Sequence, residues 1–423
     1  MRWTAERVLD LAPDPASAKA GRSQASPAKW PSLGASAHAV WGDCQGSGKA
    51  PYQVGVDLAE PAFKCSCPSR KFPCKHAIGL LLLWAEGAVP ESGEPEWIDT
   101  WLARPKRAEP TGERDEEAAA RRAEKRASRV AGGAAELIGW LGDQVTTGLA
   151  VLDQSPDVLY GVAARMVDAQ APGLASGLRR AAMLPGRGRD WPSRLLEDLA
   201  LLRTLAVAYS RIDDLPAPLA ATVRTRLGFT VDAADVLASG DRVRDEWLVA
   251  GHVDQENDQL VSRRTWLRGS SSGRWALVLS FAGPGRILDT SLVSGTLIPA
   301  TLAFYPGALP LRALVADRDD AVPAPVPGGG TVDDALAAFA AGLALDPWLD
   351  RLPVVLREVA PVSLGKDWGL SSVDGSALPL GSGVDPWPLL AVSGGRALTV
   401  AAELSVSGLR PLSCWDGERA VRL

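Results

Sequence analysis

The chain has 423 residues, of which 46% are hydrophobic and 22% charged, and its formal net charge is -5. That length is too great for one ordinary core and predicts two to four folding units. The composition excludes a disordered or fibrous chain, and the acidic balance excludes a general binder of polyanions.

The opening stretch, "MRWTAERVLDLAPDPASAKAG", holds no apolar core of signal-peptide length. It predicts a short helix over Thr4 to Leu11, followed by a segment rich in Ala, Ser and Pro as far as residue 35. From His38 to Leu58 the pattern turns strand-like. In "YQVGVDL", Val54, Val56 and Leu58 alternate with Gln53, Gly55 and Asp57, the period of a half-buried strand. "AEPA" then reads as a turn and "FKCSC" as a second strand ending at Pro68. "AIGLLLLWA", Ala77 to Ala85, is about half a membrane span and predicts a buried helix.

Residues 104–133 begin with "RPKRAEPTGERDEEAAARRAEKRASR", which has no large apolar residue and nearly balanced charge. The expectation is a charged, solvated linker helix with Glu117 and Arg121 as an i,i+4 pair. Residues 134–230 place apolar side chains three and four apart between Pro and Gly breaks, which predicts a helical region. Residues 231–423 change texture to a mixed, β-rich region. "EWLVAGHV", "QLVSRRTWL" and "RWALVLSFA" predict an antiparallel meander with a Trp in each strand. "TVDDALAAFAAGLAL" predicts one helix, with Thr331 as N-cap and Asp334 answering it. The run through "PWPLLAVSGGRALTVAAEL" is expected to return to short strands and Gly turns. The fold class is therefore α+β and multidomain: an N-terminal region of residues 1–103 with a small ββα unit, a helical middle and a β-rich end.

The chemistry concentrates in "KCSCPSRKFPCKH", Lys64 to His76, which holds three of five cysteines and one of three histidines. Residues two apart on a strand share a face, so Cys65 and Cys67 present both sulfurs to one side. Two steps along a helix turn a side chain by roughly 200°, so Cys74 and His76 cannot both lie inside a regular helix and converge. Cys74 is therefore expected in the turn after Pro73, with His76 in the first turn of a helix over Lys75 to Glu86. Ile78, Leu81, Leu82 and Ala85 would form its apolar stripe, and Gly87 its C-terminal cap.

Three thiolates and an imidazole suit tetrahedral Zn²⁺, and four protein ligands leave no open position, so the predicted cofactor is one structural zinc. The centre would carry a charge of -1, stabilised by the helix N-terminus and by Lys64, Arg70, Lys71 and Lys75. Competing readings are weaker. A Cys65–Cys67 disulfide would be strained and out of place in a reducing cytosol, the compartment that five scattered cysteines suggest. A thioredoxin-like pair needs C-x-x-C. Cys44, in "GDCQGSGK", is read as a turn residue outside a tetrahedron already complete, and Cys414 as core.

The stretch "WGDCQGSGKAPYQVGVDLAEPAFKCSCPSRKFPCKHAIGLLLLW" resembles the SWIM-type zinc finger, C-x-C-xn-C-x-H, and is similar to bacterial SWIM zinc finger family proteins. Mapped onto this chain, the finger covers about residues 52–86 and its ligands fall on Cys65, Cys67, Cys74 and His76. The resemblance implies protein–protein interaction or DNA binding. It also implies membership of a multi-protein system, with a MoxR-like AAA ATPase or a von Willebrand A-domain protein as partner.

Other constellations fail. "CQGSGKA" has Asp43 and Ala50 where a phosphate loop needs Gly and Ser or Thr. His38 and His252 have no nucleophile motif to serve and read as surface residues. "DRDD", Asp317 to Asp320, lacks the Gly and distal Glu of a calcium loop and reads as a solvated turn. The leading expectation is a cytoplasmic, non-enzymatic adaptor built on a zinc-held interaction module. A nucleic-acid-binding protein is the alternative, and an enzyme with a site in the C-terminal half is the third reading.

Overall fold

The computed structural model describes residues 5–12, 15–45, 51–58, 62–67, 69, 73–102, 113–149, 152, 157–257, 260–282, 288–417 and 419–423. The expected α+β architecture is present. The chain divides into two compact units, one of residues 1–109 with 254–263 and 280–291, the other comprising the remainder.

The first unit is built on an antiparallel sheet in the order β1-β2-β3-β4, from β1 (Ser32–Ala35), β2 (Ala39–Cys44), β3 (Tyr52–Asp57) and β4 (Ala62–Cys65). Four helices belong with it: α1 (Ala5–Asp10), α2 (Pro15–Gln24), α3 (Lys75–Ala85) and α4 (Glu96–Leu102). The strand period divides the sheet cleanly. Val40, Cys44, Val54, Val56 and Phe63 face α3, while Ala39 and Trp41 face Ile98 of α4 on the other side.

A one-sided stripe on α3 was the expectation, and the helix is instead buried all round, from His76 to Leu83. Strands β2, β3 and β4 cover one flank, and α1 and α2 cover another. A helix apolar on every face has to be enclosed in this way. The Ala- and Ser-rich segment after residue 12 supplies that cover as α2, where no helix had been expected. Its small residues permit close approach: a Cβ on Gly79 would lie 2.6 Å from Gln24 Cβ, and one on Gly21 would lie 2.4 Å from Ile78 Cγ2.

The second unit opens with α5 (Glu113–Thr147), one 35-residue helix. The expected pair Glu117–Arg121 forms at 3.6 Å and is exposed. The solvated character ends by Arg126, which donates to Gly228 O at 2.8 Å and lies over the Phe229 ring. Val130, within the expected linker, is fully buried with Ala134, Leu137 and Leu141. Residues 104–112 of that linker lie outside the described residues. Helices α6 (Asp157–Asp168), α7 (Pro172–Ala181), α8 (Trp191–Ser210) and α9 (Ala217–Leu227) complete the bundle.

Residues 134–230 fall in this same unit, as do residues 231–423 apart from 254–263 and 280–291. Trp348 Nε1 donates to Leu201 O at 2.9 Å, and Arg226 pairs with Asp346 and Asp350. The expected strands lie side by side as Asp241–Asn257, Leu260–Gly269 and Trp275–Ala282. A second six-stranded sheet spans residues 352–422. Leu248, Ala250 and Trp266 of the first sheet share a core with Val355, Ala401, Leu412 and Trp415 of the second. Buried Glu403 accepts from Trp266 Nε1 at 2.8 Å and from Arg264 and Arg351. One expectation fails here: "WPLLAVS" is a helix, Trp387–Ser393, started by an Asp385 carboxylate that accepts from Trp387 N and stopped by left-handed Gly394. Pro in the first helical turn is compatible with a helix start.

The helix Val332–Leu345 carries the expected capping box between Thr331 and Asp334. Replacing Thr331 by Ala should lower stability by about 1 kcal/mol in urea titration; an unchanged midpoint would show that the cap is idle. Gly79→Ala should destabilise the first unit by about 1–3 kcal/mol, because the new methyl meets Gln24 at its Cβ and at its backbone carbon. Differential hydrogen exchange localised to α2 and α3 checks it, with wild-type protection in both helices as the contrary result.

Candidate metal centre

The four predicted ligands converge. One ligand atom from each of Cys65, Cys67, Cys74 and His76 lies within 4.8 Å of all the others. Cys65 ends β4, and Cys67 follows one residue beyond a ladder that still pairs Ser66 N with Gln53 O at 3.0 Å. Cys74 is the N-cap of α3 in an extended conformation, and His76 sits in the first helical turn. Cys74 and His76 are buried, while Cys65 and Cys67 are half-buried. At the far end Gly87 has φ +75, Gly87 N–H donates to Trp84 O and Ala88 N–H to Leu83 O, the paired bonds of a Schellman cap.

The donor set fits Zn²⁺ on distance. Bond lengths of about 2.3 Å to sulfur and 2.0–2.1 Å to nitrogen imply tetrahedron edges of about 3.6–3.8 Å. Cys65 Sγ and His76 Nδ1 stand 3.8 Å apart. The Tyr52 ring lies against the imidazole, with centroids 5.0 Å apart. A closed Cys₃His tetrahedron makes the ion structural, with no coordination position left for water.

The thiols are electrostatically divided. Cys74 is drawn down to about 4 because Cys65 donates to it, with further hydrogen bonds from His76 and the Ala77 N–H outweighing its burial. Cys65 is pushed up by holding the proton shared with Cys74, then by burial. Cys67 is raised by burial. Backbone amides also reach the sulfurs: Cys67 N–H points to Cys65 and Ser69 N–H to Cys67. Such donors stabilise the thiolate form that the metal requires.

The expected ring of compensating cations is thinner than the sequence suggests. Lys64 points to the opposite face of β4 from Cys65, with Nζ 5.0 Å from the centre of the Trp97 ring. Strand alternation dictates this. Lys75 is exposed. Pro68, Arg70 and Lys71 lie outside the described residues. Cys44 stays outside the ligand group, as expected, although it ends strand β2 and is not a turn residue. Its Sγ is 3.8 Å from Gln24 Oε1, and burial pushes its thiol up. Cys414 is buried in the C-terminal core.

Other singled-out residues scatter. His38 is exposed. His252 is half-buried, with Nδ1 3.4 Å from Ser294 Oγ, where a surface position had been expected. Asp317 and Asp319 are both bound by Arg244, which explains "DRDD" without a cation. Residues 46–50 of the glycine-rich turn lie outside the described residues.

These features define a zinc-finger protein in which the finger is followed by a helical bundle. Residues 52–85 match the SWIM zinc finger family model, and residues 125–227 match the SWIM-associated four-helix bundle domain. The chain thus carries a segment similar to the SWIM zinc finger and, after it, one similar to the helical bundle associated with that finger. No curated protein and no solved structure shows significant similarity to the chain.

Purified protein should carry about one zinc per chain. Cys74→Ser should lose the ion, and with it stabilisation on the order of 10 kcal/mol that metal binding supplies to a small domain. Elemental analysis of both proteins decides this, and a wild-type chain prepared without chelators that holds no zinc would sink it. Acidification should expel the ion as the thiolates take up protons, which the same analysis after dialysis at falling pH will follow.

Proposed function

We propose that the zinc-bearing unit is a protein-interaction module and that the whole chain serves as a non-catalytic adaptor in a multi-protein assembly. The observation that carries this reading is the enclosure of α3. Zinc fingers that read DNA insert an exposed helix into the major groove. Here the helix that follows the ligands is buried from His76 to Leu83 and bears one cation, Lys75. Lys64 is engaged with Trp97. Non-specific DNA affinity grows with the number of phosphates neutralised, and the formal net charge of -5 opposes a polyanion.

The same enclosure removes one route to a partner. An exposed remainder of "IGLLLLW" had been expected to offer an apolar anchor, but Leu80 to Leu83 are consumed inside the first unit and Trp84 is only half exposed. Recognition then falls to other surfaces. Trp387 is 67% exposed and lies tilted against Trp368 in the C-terminal region, with ring centroids 6.3 Å apart, and Trp is a residue type enriched at protein interfaces. By family resemblance the partner is a MoxR-like AAA ATPase or a von Willebrand A-domain protein. Among the described residues no helix is long and apolar enough to cross a membrane.

Co-purification from the native host should recover a protein partner with the wild-type chain and lose it with Cys74→Ser. Titration with mixed-sequence duplex and single-stranded DNA near physiological salt should show no sub-micromolar binding. Tight DNA binding that survives such salt, with no zinc-dependent partner recovered, would reverse the assignment in favour of nucleic acid.

A further inference from the structure

The two ligands on the strand side of the site are separated by a single residue, Ser66. The register of β3 and β4 pairs Val54 with Cys65 and Gly55 with Lys64. Continued by one step, it pairs Gln53 with Ser66. In an antiparallel ladder such a pair exchanges two bonds, each amide donating to the opposite carbonyl. Only half of that exchange is regular here. Ser66 N–H donates to Gln53 O at 3.0 Å, but Gln53 N–H donates to the Ser66 side chain, Oγ, also at 3.0 Å.

We infer that Ser66 is a positioning residue of the zinc site, its hydroxyl standing in for its own carbonyl so that the chain can leave the sheet between two ligands. The inference rests on the zinc reading of the centre. Its physical logic is a conflict between ladder and knuckle. A strand continued through Ser66 would keep Cys67 extended and carry its backbone N–H away from the metal. Instead the chain leaves the ladder at Ser66: its N–H still reaches Gln53 O, while Gln53 N–H meets the hydroxyl. That departure takes the Ser66 carbonyl out of the ladder and would leave Gln53 N–H, at this exposed position, with only water to accept from it. A hydroxyl on Cβ replaces the acceptor at the same height in the ladder. Ser and Thr place an oxygen there and Ala does not.

The test uses the full chain as wild type, Ser66→Ala and Ser66→Thr. Zinc affinity is read by competition with a chromogenic chelator, the ligand geometry by the absorption of the cobalt-substituted protein, and the local bond by exchange of the Gln53 amide. Ser66→Ala should weaken zinc by about 10–100-fold, the range for loss of a group that orients metal ligands. It should also alter the cobalt spectrum and speed Gln53 exchange, and Ser66→Thr should restore all three. An alanine variant too unstable to load, beside a threonine variant that loads, supports the same role. The inference falls if Ser66→Ala binds zinc as the wild type does, or if Ser66→Thr is as damaged as Ser66→Ala. A wild-type chain that binds no zinc would instead overturn the zinc reading itself, and this inference with it.

Discussion

A helix that is apolar on every side cannot rest on a surface; it has to be surrounded. That requirement organises the first compact unit. The strands β2 to β4 provide one wall for α3, and the two N-terminal helices provide another. Gly79 and Gly21 let α2 and α3 approach so closely that even a methyl group would not fit at either position. The side chains thereby enclosed, Ala77, Ile78 and Leu80 to Leu83, are all 3% exposed or less. Hydrophobic burial alone would leave this helix free to slide or rotate among similar packings, because Leu differs little from Leu as a contact. The metal site removes that freedom.

Zinc would do so by joining the departing end of β4 to the first turn of α3. Both are places where backbone hydrogen bonding is being handed from one regular structure to another. At the strand end a serine hydroxyl takes over an acceptor role. At the helix start Cys74 holds the N-cap position in an extended conformation, and its carbonyl accepts from the Ile78 N–H at 3.1 Å, so one residue serves as boundary and as ligand. The sheet also keeps opposite chemistries apart: thiolates lie on the α3 face, and Lys64 stacks on Trp97 on the α4 face. The second unit joins two strands through buried charge. Its buried Glu403 joins the strand of Trp266 to that of Ala401 through two guanidinium groups and an indole.

Legibility in the sequence followed the range of the interactions. Cys65, Cys67, Cys74 and His76 could be read because ligand geometry constrains spacing within a dozen residues. The Thr331–Asp334 box and the Gly87 cap were visible for the same reason. The enclosure of α3 was not, because the covering residues are small and polar and lie some sixty positions earlier. "PASAKAGRSQ" has no apolar period, and its worth is the absence of bulk, which is apparent only against Ile78 and Gly79. The end of the solvated part of α5 was misplaced because Arg126 reads as one more surface charge until Phe229 is brought beneath it. Ser66 escaped notice since a serine between two cysteines has no pattern of its own; only the register of β3 and β4 gives its hydroxyl a task.

The burial of two of the four ligands has a consequence in time. Cys74 is 1% exposed and His76 4%. With no vacant coordination position, an incoming chelator or competing metal can reach only the half-buried Cys65 and Cys67 while the unit is closed, and cannot displace the buried pair. Exchange of the ion must then wait for the start of α3 to open, an event drawn from the spectrum of partial unfoldings that any native protein samples. The residence time of zinc becomes a clock for that local opening. A partner that clamps the unit would slow the clock, and one that pries it apart would set the metal free.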